Sequence, residues 1–131
     1  MTTSYRTSLR RVRGLGSAKH GVGHWIVQRT SAVALVPLGL WALYSGLSLS
    51  RLGFDGAQAW MHAPLNAVLA ILLAAAAFTH MKIGMEEVIL DYIHKPGSKT
   101  VLLLLNLFVA IFGGVLAVFC ILKIALIGGA V

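Results

Sequence analysis

Three apolar runs, separated by short polar stretches, constrain this 131-residue chain more than any other feature. They extend over about residues 25–49, 63–93 and 99–127. Each is at least as long as the roughly 20 residues that a helix needs to cross the hydrocarbon core of a bilayer. Because a backbone in lipid must satisfy its own hydrogen bonds, segments of this length are expected to cross as helices. We therefore predict an all-α integral membrane protein with three transmembrane helices.

Composition agrees with a bilayer rather than water as the solvent. Hydrophobic residues make up 58% of the chain and charged residues 11%, whereas a soluble domain is about one quarter charged. The first run is too long for a secretory signal, whose apolar region spans roughly 7–15 residues. All three runs are therefore expected in the mature protein, although the basic start also resembles an organelle transit peptide.

The net charge of +7 is concentrated in a basic tail at residues 1–23, followed by an anchor domain at 24–131. The tail cations are Arg6, Arg10, Arg11, Arg13 and Lys19. A basic tail before apolar spans is typical of the positive-inside rule, so we expect no nucleic-acid partner. The turn at 94–99 carries two lysines and no acid, which predicts that tail and turn share the cytoplasmic side.

The second run contains a polar stripe. At about 100° per residue, Gly84, Glu87 and Asp91 fall within about 40° of His80 around a helix. His80 precedes Asp91 by 11 residues, or about 16 Å of helix. If Asp91 and Tyr92 lie at the inner interface, His80 lies near the middle of the bilayer. Ionisable side chains at that depth are candidate functional groups.

Two interpretations of His80 follow from the residues alone. Its imidazole could be an axial ligand of a haem iron, with Gly84 one turn away leaving room for a flat macrocycle. Alternatively, His80 hydrogen-bonds a neighbouring helix and Gly84 is an ordinary small residue at a helix contact. Lys82, Glu86 and Glu87 are equally compatible with a solvated helix end, with Lys82 and Glu86 paired one turn apart.

The pattern His-x3-Gly-x6-Asp-Tyr, formed by His80, Gly84, Asp91 and Tyr92, resembles the hydrophobic membrane anchor of succinate dehydrogenase, or complex II. The stretch at 24–32, HWIVQRTSA, resembles the entry segment of the same family. The upstream stretch at 16–21 is similar to the alphaproteobacterial branch, which is close to the mitochondrial one. The order of the three spans agrees with the family over the whole chain.

The resemblance implies roles for individual residues. His80 would be one of two axial ligands of a b-type haem. Tyr92 would hydrogen-bond a carbonyl of ubiquinone, in an environment that Asp91 shapes. The haem propionate or quinone pocket would include Arg29, His24 and Gly84.

The resemblance also implies partners. A second membrane anchor, the cytochrome b subunit, would supply the other haem ligand and complete a helical bundle. The chain has one cysteine and no GxGxxG motif, so clusters and flavin would belong to an iron–sulfur subunit and a flavoprotein subunit. The chain would be a non-catalytic subunit linking the tricarboxylic acid cycle to the respiratory chain. It would lie in the bacterial inner membrane with its N-terminus cytoplasmic, or alternatively in the mitochondrial inner membrane.

Two other functions stay open on sequence grounds. The first is the related anchor of a fumarate reductase, which runs the chemistry in reverse. The second is a cofactor-free membrane scaffold or small transporter, although a transporter is expected to show inverted repeats or broken helices.

Overall fold

The computed structural model describes residues 7–13 and 21–127 of the chain. It contains helices α1 (Ser8–Arg13), α2 (Gly21–Leu49), α3 (Gly53–His62), α4 (Pro64–Tyr92) and α5 (Pro96–Ile127). Of these, α2, α4 and α5 are long and apolar enough to cross a membrane. The prediction of three transmembrane helices is confirmed, while the tail positions Arg6 and Lys19 lie outside the described residues.

The ends of the long helices differ from the expected bounds by a few residues. Helix α2 begins at Gly21 rather than 25, and α5 begins at Pro96 rather than 99. Proline suits the first turn of a helix because its missing N–H would have no intrahelical partner there. Pro64 starts α4 within the expected span, and Pro96 starts α5, although Pro96 was expected in the turn at 94–99.

Helix α4 lies between the other two long helices. It packs against α2 on one side and α5 on the other, and within the described ranges α2 and α5 do not pack against each other. The three spans thus form a layer rather than a closed bundle. We call the end where α2 begins and α4 ends the tail end, and the opposite end the α3 end.

The contact between α4 and α5 depends on a close approach at two glycines. A Cβ added at Gly113 would lie 2.5 Å from Cε1 of Phe78, whereas one added at Gly114 would lie 3.7 Å from Phe78. Small residues of this kind let helices approach closely in membranes. Nearer the tail end, the buried Asn106 donates from Nδ2 to the carbonyl oxygen of Lys82 at 2.8 Å.

Residues 50–62, which the hydropathy pattern leaves as a linker, are mostly helical. Gly53 has a φ of +66°, a conformation that favours glycine, and it starts α3 after the turn that ends α2. Trp60 of α3 stacks on Trp41 of α2 with ring centroids 5.5 Å apart, and Asn66 donates to the carbonyl of Trp60 at 2.8 Å. His62 contacts the carbonyl of Ala125 at 3.0 Å. Helix α3 therefore packs against α2, α4 and α5 at one end of the layer.

Most side chains of the layer are exposed within this single chain. The buried positions among the described residues are small or scattered: Ser31, Ser45, Ala67, Ile83, Ile89, Asn106 and Ala110. Cys120, expected from residue type to be packed, is exposed on α5. In a membrane helix such surfaces face lipid or other helices.

Candidate functional site

His80 lies at the contact between α4 and α2. Its Nδ1 is 3.2 Å from Oγ of Ser31, and Ser31 is one of the few buried residues of α2, with 7% of its surface exposed. Within this chain His80 therefore contacts a neighbouring helix, as the second of the two interpretations expects, while its role as a haem ligand stays a prediction. The hydrogen bond uses only one of the two ring nitrogens.

The hydroxyl of Ser31 has one proton and two polar neighbours, the carbonyl oxygen of Gln28 and Nδ1 of His80. It donates to the carbonyl oxygen of Gln28 at 2.9 Å, a shorter contact than the one to His80. A serine oxygen whose O–H donates one hydrogen bond can still accept another through its lone pairs. With Ser31 donating to Gln28, its oxygen can accept from an N–H at Nδ1 of His80, and a ring with its proton on Nδ1 has its lone pair on Nε2.

Gly84 lies one turn from His80 towards the tail end. A Cβ added there would meet no heavy atom within 4 Å, so none of the described helices packs closely against that point. Of the two interpretations of Gly84, a close helix contact is thereby absent among the described residues. The surface beside His80 at Gly84 stays accessible to a group from outside the chain.

A polar cluster joins α2 to α4 at the tail end. Gln28 donates from Nε2 to Oε2 of Glu87 at 3.2 Å. His24 lies 3.7 Å from Glu86 and 3.9 Å from Glu87, and its Nε2 has no hydrogen-bond partner in the part of the chain described. The expected pair of Lys82 and Glu86 is confirmed, with Nζ 2.8 Å from Oε2.

Tyr92 and Asp91 are both exposed in this chain. Tyr92, 76% exposed, is rotated about 120° from His80 around α4. It lines one end of an apolar groove of 410 Å³ between α4 and α5, together with Met85, Val88, Leu105 and Asn106. Tyr92 therefore adjoins the α4–α5 groove, whereas His80 contacts α2.

Arg29 is exposed, and the hydrogen bond of His80 to α2 is made by Ser31 instead. Its Cζ lies 5.7 Å from the ring centroid of Trp25, one turn earlier on α2, a distance at which a cation is attracted to an aromatic face. Gln28 and Ser31 on either side of it bond towards α4 or within α2. Arg29 is thus held against its own helix at the tail end.

The structure brings part of the predicted set together. His80 and Glu87 of the stripe both contact α2, and His24 joins the same contact from the α2 side. No hydrogen bond or ion pair joins Asp91, Tyr92 or Arg29 to His80 within the described residues. No group of three or more His, Cys, Asp or Glu side chains in those residues could hold a metal ion.

Sequence reasoning missed Ser31 and Gln28. Both stand in the stretch that carries the family resemblance, and they lie three residues apart, on the same face of a helix. A buried serine within hydrogen-bond reach of a membrane histidine depends on how two helices pack. That spacing was the only signal in the sequence.

The sequence of the chain is similar to those of known membrane proteins. The family model described as succinate dehydrogenase/fumarate reductase transmembrane subunit matches residues 3–122. A succinate dehydrogenase hydrophobic membrane anchor subunit from Rickettsia bellii is 32% identical over 93 residues, which cover 71% of this chain and 74% of the relative. The corresponding subunit from Rickettsia conorii is 29% identical over 124 residues, or 91% of this chain and 98% of the relative.

No solved structure matches the chain. The sequence comparisons, however, extend over nearly the whole chain and include the His80–Tyr92 segment and the first span. With its three apolar helices, the chain belongs to the family of succinate dehydrogenase/fumarate reductase transmembrane subunits.

Proposed function

We propose that this chain is the membrane anchor subunit of a succinate:ubiquinone oxidoreductase, that it holds a b-type haem through His80, and that it lines part of the ubiquinone site. The chain is not a catalyst on its own. Its relatives from Rickettsia carry the name of succinate dehydrogenase anchors, which favours succinate oxidation over fumarate reduction as the direction of the chemistry.

The observation that carries the proposal is the orientation of the His80 ring. Oγ of Ser31 lies within hydrogen-bond distance of Nδ1, at 3.2 Å. Nε2 is therefore the nitrogen proposed to bind an iron, as in a neutral imidazole ligand. Beside it, Gly84 presents backbone without a side chain and no described helix closes over that point. A macrocycle approaching His80 along α4 would meet no side chain at Gly84. When bound, the haem would supply a one-electron carrier at that depth.

The second axial ligand has to come from another chain. The other described histidines lie at helix ends: His24 in the tail-end cluster, His62 bonded to Ala125, and His94 after α4. None of them lies at the depth of His80. The exposed surface of the layer supports a second membrane anchor, the cytochrome b subunit, packed against this one.

The ubiquinone site is proposed at the tail end, around Tyr92. The residue lies about 18 Å along α4 from His80, near the end of the helix. Its phenol is a neutral hydrogen-bond donor and its side chain is 76% exposed in this chain. The adjoining groove is apolar, which suits an isoprenoid tail. Asp91, exposed beside it, would place a carboxylate charge near the quinone.

Arg29 and His24 complete the tail end. The guanidinium of Arg29, fixed over Trp25, is a planar donor suited to a haem propionate or a quinone carbonyl. His24 sits between two carboxylates. The lysines of the 94–99 turn and the basic tail flank the same end, which supports a cytoplasmic tail end in a bacterial inner membrane. The iron–sulfur and flavoprotein subunits would dock there.

The direct experiment is purification of the chain in mild detergent from membranes of cells that express the whole complex. We expect a flavoprotein, an iron–sulfur protein and a second anchor to co-purify, succinate to reduce ubiquinone, and a b-type haem band to appear on reduction. A chain that purifies without these subunits and without haem would instead favour a cofactor-free scaffold.

A further inference from the structure

We propose that Ser31 is the positioning residue for the haem ligand: it fixes the tautomer of His80 and, through that hydrogen bond, sets the redox potential of the iron. This inference rests on the proposed haem-binding function. The observations that carry it are the two contacts of one hydroxyl, at 2.9 Å to Gln28 and 3.2 Å to His80.

The proton count determines the direction of the bond. The hydroxyl of Ser31 donates to the closer carbonyl oxygen of Gln28, and its oxygen then serves as the acceptor for the ring of His80. If the hydroxyl turned towards Nδ1 instead, the ring would carry its proton on Nε2 and could not bind iron through that atom. The contact to Gln28 therefore disfavours the tautomer that excludes a ligand.

The same bond acts on the iron through the ring. When one ring nitrogen of an imidazole binds a metal and the N–H of the other donates to an acceptor, the imidazole is a more basic ligand and its orientation is fixed. A more basic ligand stabilises the higher charge of oxidised iron, which lowers the redox potential. Ser31 is 7% exposed and its bond to His80 is part-buried, so competing water weakens that bond less than it would weaken one at an exposed surface.

The turn of α2 that contains Ser31 is itself held in place. Gln28, one turn before Ser31, donates to Glu87 of α4 at 3.2 Å. The segment 28–31 thus contacts α4 at His80 and again two turns further at Glu87. Two contacts on one helix face fix the register between α2 and α4, and with it the distance from Ser31 to the ring.

The test compares Ser31→Ala and Ser31→Thr in the complete complex. Alanine removes the acceptor, while threonine keeps a hydroxyl that can bond a carbonyl one turn back in a helix. Ser45→Ala is the matched control, because Ser45 is an equally buried serine on the same helix, 6% exposed. It lies 14 residues away, or about 21 Å along the axis. The readouts are haem content, midpoint potential and the electron paramagnetic resonance signature of the axial ligands.

We expect Ser31→Ala to shift the potential to more positive values and change the axial signature, with Ser31→Thr close to wild type and Ser45→Ala unchanged. Loss of haem in Ser31→Ala that threonine restores also supports the proposal. An Ala variant with the wild-type potential and signature would overturn it, as would a haem loss that threonine does not restore. Absence of haem from the wild-type complex would instead contradict the proposed function itself.

Discussion

At the scale of single residues, a comparison of two arginines at opposite ends of the layer distinguishes a functional role from simple membrane anchoring. Arg29 lies over Trp25 at the tail end, while Arg51 is exposed near the α3 end. Long basic side chains reach the interface from either position, but only Arg29 lies at the end proposed for quinone and propionates. We expect Arg29→Ala to lower succinate–ubiquinone reductase activity severalfold and Arg51→Ala to leave it nearly unchanged. Small and equal losses would favour anchoring for both.

Tyr92 gives a second residue-scale prediction. Tyr92→Phe keeps the ring and removes only the hydroxyl, which would hydrogen-bond a quinone carbonyl and stabilise the charge that develops on reduction. We expect quinone reduction by succinate to fall severalfold or more. Haem content and electron transfer from succinate to an artificial acceptor at the peripheral subunits should not change.

The outcome for Tyr92 also distinguishes the proposed role from a common one. Tyrosines are enriched at membrane interfaces whatever the function, and Tyr92 is 76% exposed at such a position in this chain. If the phenylalanine variant reduces quinone at the wild-type rate, Tyr92 is an interfacial tyrosine and not a quinone ligand.

Periodicity predicted part of the site and missed the rest for a physical reason. A 3.6-residue repeat gives the face of a helix, so it placed His80 and Glu87 together, and both contact α2. It does not give the register between two helices. Ser31 and Gln28 became visible as partners of that face only when α2 and α4 were packed. The roles of all the candidate site residues stay predictions: His80, Gly84, Asp91, Tyr92, Arg29 and His24.

At the scale of helices, Gly113 and Gly114 allow a matched test of the α4–α5 contact. Alanine at either position gains the same helix propensity, but the new Cβ lies 2.5 Å from Phe78 at Gly113 and 3.7 Å at Gly114. We expect Gly113→Ala to destabilise the purified complex by about 1–3 kcal/mol relative to Gly114→Ala. Thermal unfolding in detergent measures this, and equal stabilities would mean that Phe78 moves aside freely.

Hydropathy predicted the spans better than the connection between them. Twenty or more apolar residues are specific for a membrane helix, and α2, α4 and α5 appear where expected to within a few residues. Helix α3 has ten residues, too short for a span and bounded by no side-chain cap. Its stability comes from packing, chiefly Trp60 on Trp41, which the chain order does not reveal.

At the scale of the whole molecule, the charge distribution predicts the orientation in the membrane. The basic tail and the 94–99 turn lie on one side of three spans, so the N-terminus should face the cytoplasm and the C-terminus the periplasm. Fusions of a phosphatase that is active only in the periplasm and of a fluorescent protein that folds only in the cytoplasm test this. A C-terminal phosphatase fusion without activity, together with a fluorescent C-terminal fusion, would indicate the opposite orientation.

The shape of the layer implies a partner at the same scale. Because α4 is flanked by α2 and α5 while both faces of the layer are largely exposed, the chain presents long apolar surfaces that a second anchor can cover. The polar contacts among the described residues are concentrated at the α2–α4 contact and the two helix ends. A shared haem at His80 would join the two anchors in mid-membrane.

The central claim is that His80 ligates a haem, and the redox difference spectrum of the purified complex tests it most directly. The comparison uses wild type, His80→Ala and His94→Ala, since His94 is an exposed histidine outside the spans. We predict a b-type haem band in wild type and in His94→Ala, and a weakened or absent band in His80→Ala. A His80→Ala complex with an unchanged haem spectrum and an unchanged axial-ligand signature would contradict the claim.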